Sequence, residues 1–129
     1  MLTARIVLLS FCSAGFYASA FMFRKALLAR MGRLSEPSVV ETPPARAIGG
    51  VPNAAFGVAY YPLVALAMLW FHVSGVWALT MAASLAAAAF SCYLAYSLLF
   101  VTKQWCPYCW IGHLVNWTLP FLLIIARGE

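Results

Sequence analysis

Acid is nearly missing from this chain. Glu36, Glu41 and Glu129 are its only carboxylate side chains in 129 residues, and charged residues of both signs make up 9%. Soluble domains run at about a quarter charged, so this sequence cannot cover an aqueous surface. Also missing are the Walker, GxGxxG and HExxH patterns, which leaves no case for phosphate binding or zinc-protease chemistry. Eight basic residues bring the net charge to +5. They have no soluble domain to sit on, so nucleic acid is a poor partner. An excess of cations suits anionic lipid headgroups instead.

What the chain has in abundance is hydrocarbon: 65% of residues are hydrophobic and mean hydropathy is +0.91. With lipid as solvent, apolar segments must satisfy their own backbone groups, and helices do so. The sequence therefore predicts an all-α integral membrane four-helix bundle, a single transmembrane domain with spans at about 3–23, 52–71, 77–100 and 107–125. Crossing the hydrocarbon takes about 20 residues. The N-terminal run is too long for a removed signal peptide and lacks a small-residue cleavage site, so it is expected to stay in the membrane. Pro37, Pro43, Pro44, Gly49 and Gly50 make residues 24–51 a long first loop. Its opening, Arg24 to Arg33, is basic and amphipathic. It reads either as a short interfacial helix or as a solvated continuation of the first span. Pro62 predicts a kink in the second span, and Ala86 to Ala89 a close-packing face in the third. Trp70, Trp77, Trp105 and Tyr61 are expected at the membrane interfaces.

Four spans put both termini on one face and the first loop with the start of the fourth span on the other. Arg24, Lys25, Arg30, Arg33, Arg46 and Lys103 fall on the loop face, against Arg5 and Arg127 on the other. The positive-inside rule then predicts a cell-membrane protein whose loop face is cytoplasmic, with the extracytoplasmic orientation as the alternative.

Four cysteines remain to be explained. Cys12 and Cys92 lie inside apolar runs, where cysteine usually behaves as a small hydrophobe. Cys106-Pro107-Tyr108-Cys109 is different, because it opens the last span. Positions three apart share a helix face, so the two sulfurs can meet. Pro107 suits the first helical position, where no backbone donor is needed. The positive helix end and nearby Lys103 favour Cys106 as a thiolate. Haem attachment would need histidine at 110, where Trp110 stands. Three readings stay open: a redox dithiol, a soft-metal site, and an accident of composition. A metal site would want more ligands, and only His113 is placed to help, so no metal is assigned. A histidine in a membrane helix points to function by default, the alternative being a bond to a neighbouring helix. Asn53 opens the second span after Pro52 and could be a helix cap. Asn116 reads as interhelical glue, and Phe56 taken alone as a core aromatic.

Two patches, Gly50-Val51-Pro52-Asn53-Ala54-Ala55-Phe56-Gly57-Val58-Ala59-Tyr60-Tyr61 and Cys106-Pro107-Tyr108-Cys109, resemble the vitamin K epoxide reductase family. The resemblance implies a four-helix membrane bundle with a redox CxxC starting the fourth helix and a quinone, of ubiquinone or menaquinone type, against its second cysteine. It implies that Cys109 faces the quinone and that Cys106 exchanges with a thiol donor, a thioredoxin-like protein. It implies further that Asn53 bonds one quinone carbonyl and Phe56 lines the pocket. His113 stands where some members have a tyrosine serving the other carbonyl. Most members carry a second cysteine pair in the first loop, whereas residues 24–53 here contain none. The expected activity is quinone-linked disulfide formation. The alternatives are a soft-metal carrier resembling small mercury-transport membrane proteins and a non-catalytic membrane subunit.

Overall fold

A computed structural model describes residues 3–33, 50–103 and 105–128. The first loop as predicted falls largely on residues 34–49, outside the described residues. Four helices account for nearly everything else. They are α1 (Thr3–Arg30), α2 (Asn53–Ala67, with a 3-10 turn Met68–Trp70), α3 (Ser74–Tyr96, with a π-helical turn Ser97–Val101) and α4 (Pro107–Gly128). Each of the four segments is long and apolar enough to cross a membrane. The all-α bundle follows from this, since a membrane leaves backbone amides no partner but one another.

The helix ends refine the sequence reading. Arg24 to Arg30 continues α1 as helix instead of forming a separate one. The N-cap of α2 is Pro52, not Asn53, which becomes the first helical residue. Proline already has the extended ψ that a cap requires and has no backbone donor to leave unsatisfied. The helix runs on through Pro62.

α1 packs against both α2 and α4, and α3 packs on α4, while α2 and α3 barely touch. The dry core lies in the half of the bundle away from the CxxC. There Leu8, Leu119 and Leu123 are wholly buried, with Ala4, Cys12, Tyr61, Val64, Met68 and Phe71 around them. Cys12 thus fills space as a hydrophobe, whereas Cys92 is exposed on the surface of α3. At the same end Trp77 donates its indole N–H to the Leu123 carbonyl at 3.1 Å. The Arg127 guanidinium lies 4.4 Å from the centre of the Trp77 ring.

Between α1 and α2 the approach is close because side chains are absent. A Cβ on Gly15 would sit 2.6 Å from Cζ of Tyr61, and one on Gly57 would run into the Ser19 side chain. Lipid supplies no hydrophobic drive to press helices together, so such notches for contact carry much of the attraction. Tyr61, expected at an interface, is instead 3% exposed at the centre of the bundle, seated over the Gly15 notch. Gly15→Leu must displace that ring. The expected result is a loss of roughly 1–3 kcal/mol, read as a lower thermal midpoint in detergent. Ala14→Leu, on the exposed side of α1, serves as the neutral control.

Candidate functional site

The site begins with how α4 starts. Pro107 is its first residue, so Cys106 occupies the N-cap. The first turn closes through the Trp110 N–H to the Cys106 carbonyl at 3.2 Å. The Cys109 N–H donates to Sγ of Cys106 at 3.3 Å. Sulfur here does what serine or aspartate oxygen does at ordinary caps, accepting from the third helical residue. Cys106 and Cys109 form a disulfide, with Cα atoms 5.3 Å apart. When the pair is reduced, the same N–H and the helix dipole favour negative charge on Cys106.

The connector that delivers this start is tight. The Thr102 N–H reaches the Ser97 carbonyl at 2.8 Å, closing the π-helical turn. Lys103 then takes φ of +53°, a left-handed conformation rare outside glycine. Such a residue costs on the order of 1 kcal/mol, held here by the packing of the two helices it joins.

From the other side α1 clamps the motif. Tyr108, between the cysteines, stacks on Phe21 with ring centres 4.0 Å apart and planes 21° apart. Tyr17 lies 6.3 Å away, and Lys25 Nζ is 5.5 Å from the Phe21 ring centre. Neither Phe21 nor Tyr17 stood out in the sequence, because an aromatic in an apolar span looks like any other.

Beneath the motif is a cavity of about 620 Å³ bounded by all four helices. Cys109 lines it, together with Asn53, Phe56 and His113. All four residues singled out there by sequence therefore share one space. Cys106 is not among the lining residues and is 6% exposed. The two sulfur-bearing residues differ in surroundings: one borders the cavity and the other sits at the cap above it. The cavity also borders the seam where α2 and α3 scarcely meet, with Ala59 and Leu63 of α2 and Ala83 and Ala86 of α3 among its lining residues.

His113 packs edge-on to Trp110 at 5.6 Å and tilted on Trp117 at 6.0 Å, both on its own helix. Trp117 is held by its N–H to the Ala88 carbonyl at 3.2 Å. Among the described residues no protein group bonds the His113 ring, so its nitrogens are left to whatever fills the cavity.

The cavity floor is a polar relay. The Tyr61 hydroxyl donates to Oδ1 of Asn116 at 2.6 Å, and Nδ2 of Asn116 donates to Oγ of Ser91 at 2.7 Å. Asn116 thus ties α2, α4 and α3 together, as interhelical glue should. Its partners were beyond sequence reasoning, lying 55 and 25 residues away.

These features describe an integral membrane protein with a cysteine pair at the mouth of a cavity between its helices. Residues 6–124 match the vitamin K epoxide reductase family. The chain belongs to that family, and its general class is a membrane redox enzyme.

The relay yields a stability test. Asn116→Leu should lower the unfolding free energy by about 0.5–2 kcal/mol, the range for hydrogen bonds between membrane helices. In a double-mutant cycle Tyr61→Phe should then cost little more, because the bond it removes is already gone.

Proposed function

We propose that this protein is a quinone-linked thiol–disulfide oxidoreductase that makes disulfides in a thioredoxin-like partner through Cys106 and Cys109. The observation that carries the reading is that Cys109 shares one cavity with Asn53 and His113, while Cys106 stays outside it.

The cavity residues suit a quinone of ubiquinone or menaquinone type. Its volume of about 620 Å³ falls within the 300–1,000 Å³ of small-molecule sites, which pair apolar walls with a few polar groups. The Asn53 amide and a His113 ring N–H can each donate to a carbonyl oxygen. Phe56 supplies apolar wall, and the seam between α2 and α3 suits the passage of a lipid tail. When bound, the quinone supplies the acceptor for two electrons and two protons.

The chain's own part is thiol exchange. A partner thiolate attacks Sγ of Cys106, the Cys106–Cys109 bond breaks, and Cys109 leaves as thiolate. The partner's second thiol then attacks the mixed disulfide and releases Cys106. The partner is oxidised to its disulfide, and Cys106 and Cys109 hold the two electrons. The N–H bond at the cap eases the second release by stabilising Cys106 as thiolate, and stabilising the reduced form makes a pair more oxidising. Cys109, bordering the cavity, is the sulfur from which the electrons leave as the disulfide re-forms. A soft-metal site is less well supported, since among the described residues no three His, Cys, Asp or Glu side chains form a metal-sized group.

Orientation follows the distribution of cations. We place the protein in the cell membrane with the CxxC face cytoplasmic, because Arg24, Lys25, Arg30, Arg33 and Lys103 lie on that face.

Two measurements test this. Purified protein given a quinone should oxidise a reduced thioredoxin; Cys109→Ala should abolish turnover, and Asn53→Ala or His113→Ala should each lower kcat on the order of 10²-fold. Full turnover by Cys109→Ala would overturn the mechanism. Labelling of reduced Cys106 in sealed, oriented vesicles reads the topology: reaction only from the outer side would reverse the orientation and leave the chemistry standing.

A further inference from the structure

The end of α1 stands above the site, and its height can be read from the packing. The Phe21–Tyr108 stack puts Phe21 level with the CxxC. The Tyr61–Asn116 bond shows that α2 and α4, which both descend from this face, begin at nearly the same depth. The α2 segment Asn53–Trp70 has 18 residues, about 27 Å of helix, barely enough for a hydrocarbon layer of about 30 Å. Its first residue must therefore lie at the hydrocarbon edge, and the CxxC with it.

From Phe21 to Arg30 the helix climbs about 13 Å more. A headgroup layer is roughly 5–8 Å deep on each side, so Arg30 emerges into water. The helix stays wound to this point and then stops in an ordered way. Gly32, at φ +67°, allows the Arg33 N–H to reach the Leu28 carbonyl at 2.9 Å, which is a Schellman end. Arg30 continues the i, i+4 line of Ala18, Met22 and Ala26, three residues that border the cavity. It thus overhangs the mouth of the site. Arg24, Arg30, Arg33 and Lys103 are all exposed, and no Asp or Glu occurs among the described residues. Trp105, beside Cys106, is 79% exposed.

The geometry points to the end of α1, with Arg30 and Arg33, as a docking post for a thiol protein whose redox cysteines are rimmed by acidic residues. The inference rests on the thiol-oxidase reading and adds the charge of the partner to it. Cys106 is 6% exposed, so productive exchange requires a partner held against the mouth, and the exposed cations supply that hold. A protein is favoured over lipid because the Arg30 backbone stands about 13 Å beyond the hydrocarbon edge, above the headgroup layer, with its side chain exposed. Opposed charge at such a rim acts mainly on encounter, and hence on KM, with strong dependence on salt.

The test uses the full chain in nanodiscs of uncharged phosphatidylcholine, where both faces are accessible and inverted insertion has no consequence. Quinone reduction is driven either by dithiothreitol or by a reduced thioredoxin with an acidic rim. The variant carrying Arg30→Glu and Arg33→Glu should raise KM for the acidic thioredoxin roughly tenfold at low salt. It should leave kcat and the dithiothreitol rate unchanged, and a thioredoxin whose rim carries lysines should restore the low KM. Unchanged KM beside intact dithiothreitol turnover would overturn the docking post alone. An effect that appears only when phosphatidylglycerol is added would assign the cations to lipid and overturn it as well. If the wild-type protein reduces no quinone with dithiothreitol, the thiol-oxidase reading itself falls, and the post falls with it.

Discussion

The structure depends on where the fourth helix begins. Because Pro107 can start α4 without a missing donor, Cys106 becomes its cap and Cys109 its third residue. That single boundary separates two chemically identical side chains by environment. One sulfur sits at the helix mouth, where backbone N–H groups favour charge, and the other borders a cavity in the apolar bundle. Shifting the boundary by one residue would turn Cys109 by about 100°, since a helix has 3.6 residues per turn, and take it off the cavity face. The π-helical turn at Ser97–Val101 and the left-handed Lys103 serve this boundary, because they hold the connector short enough to set α4 beside α3 at the right height.

The bundle is divided by task along the membrane normal. Away from the CxxC the helices pack to dryness, with Leu8, Leu119 and Leu123 fully enclosed. Toward it they part around the cavity. Opening such a space in a membrane protein forgoes packing contacts, which here supply most of the attraction between helices. The loss is offset where the cavity ends. Asn116 bonds α2 and α3 at once, and Gly15 lets Tyr61 reach across to it. The relay ties three helices together at the boundary between the packed half and the open half.

Much of this was legible in the residues. Four apolar runs of spanning length gave four helices, and proline after the first cysteine marked the start of α4. An asparagine deep in a span pointed to a cross-helix bond, because hydrocarbon offers it nothing else. What escaped was set by contacts between distant residues. Tyr61 reads as an interface aromatic by position, and only the Gly15 notch and Asn116 explain why it is buried. Asn53 reads as a cap until Pro52 takes that place. The aromatic clamp of Phe21 on Tyr108 carries no local signal, since stacking depends on how α1 and α4 are phased and nothing in either segment states that. The basic end of α1 left two readings open, surface helix or solvated continuation. The Schellman end at Gly32 decides for continuation.

The missing loop cysteines give these details their weight. The proposed cycle has no relay pair between the partner and Cys106, since residues 24–53 hold no cysteine. The partner must then reach Cys106 itself, a sulfur that is capped and nearly enclosed. Random collision with such a group is inefficient, because most encounters present the wrong face. A surface beside the cap that orients the incoming thiol relieves this, converting many poor encounters into fewer, longer and aligned ones. The described chain offers two features for the purpose, an exposed tryptophan adjoining the cap and a cationic helix end overhanging it. An oriented dock would do by non-covalent contact what a covalent relay does by exchange, which is to bring the partner's electrons to a sulfur that collision seldom reaches.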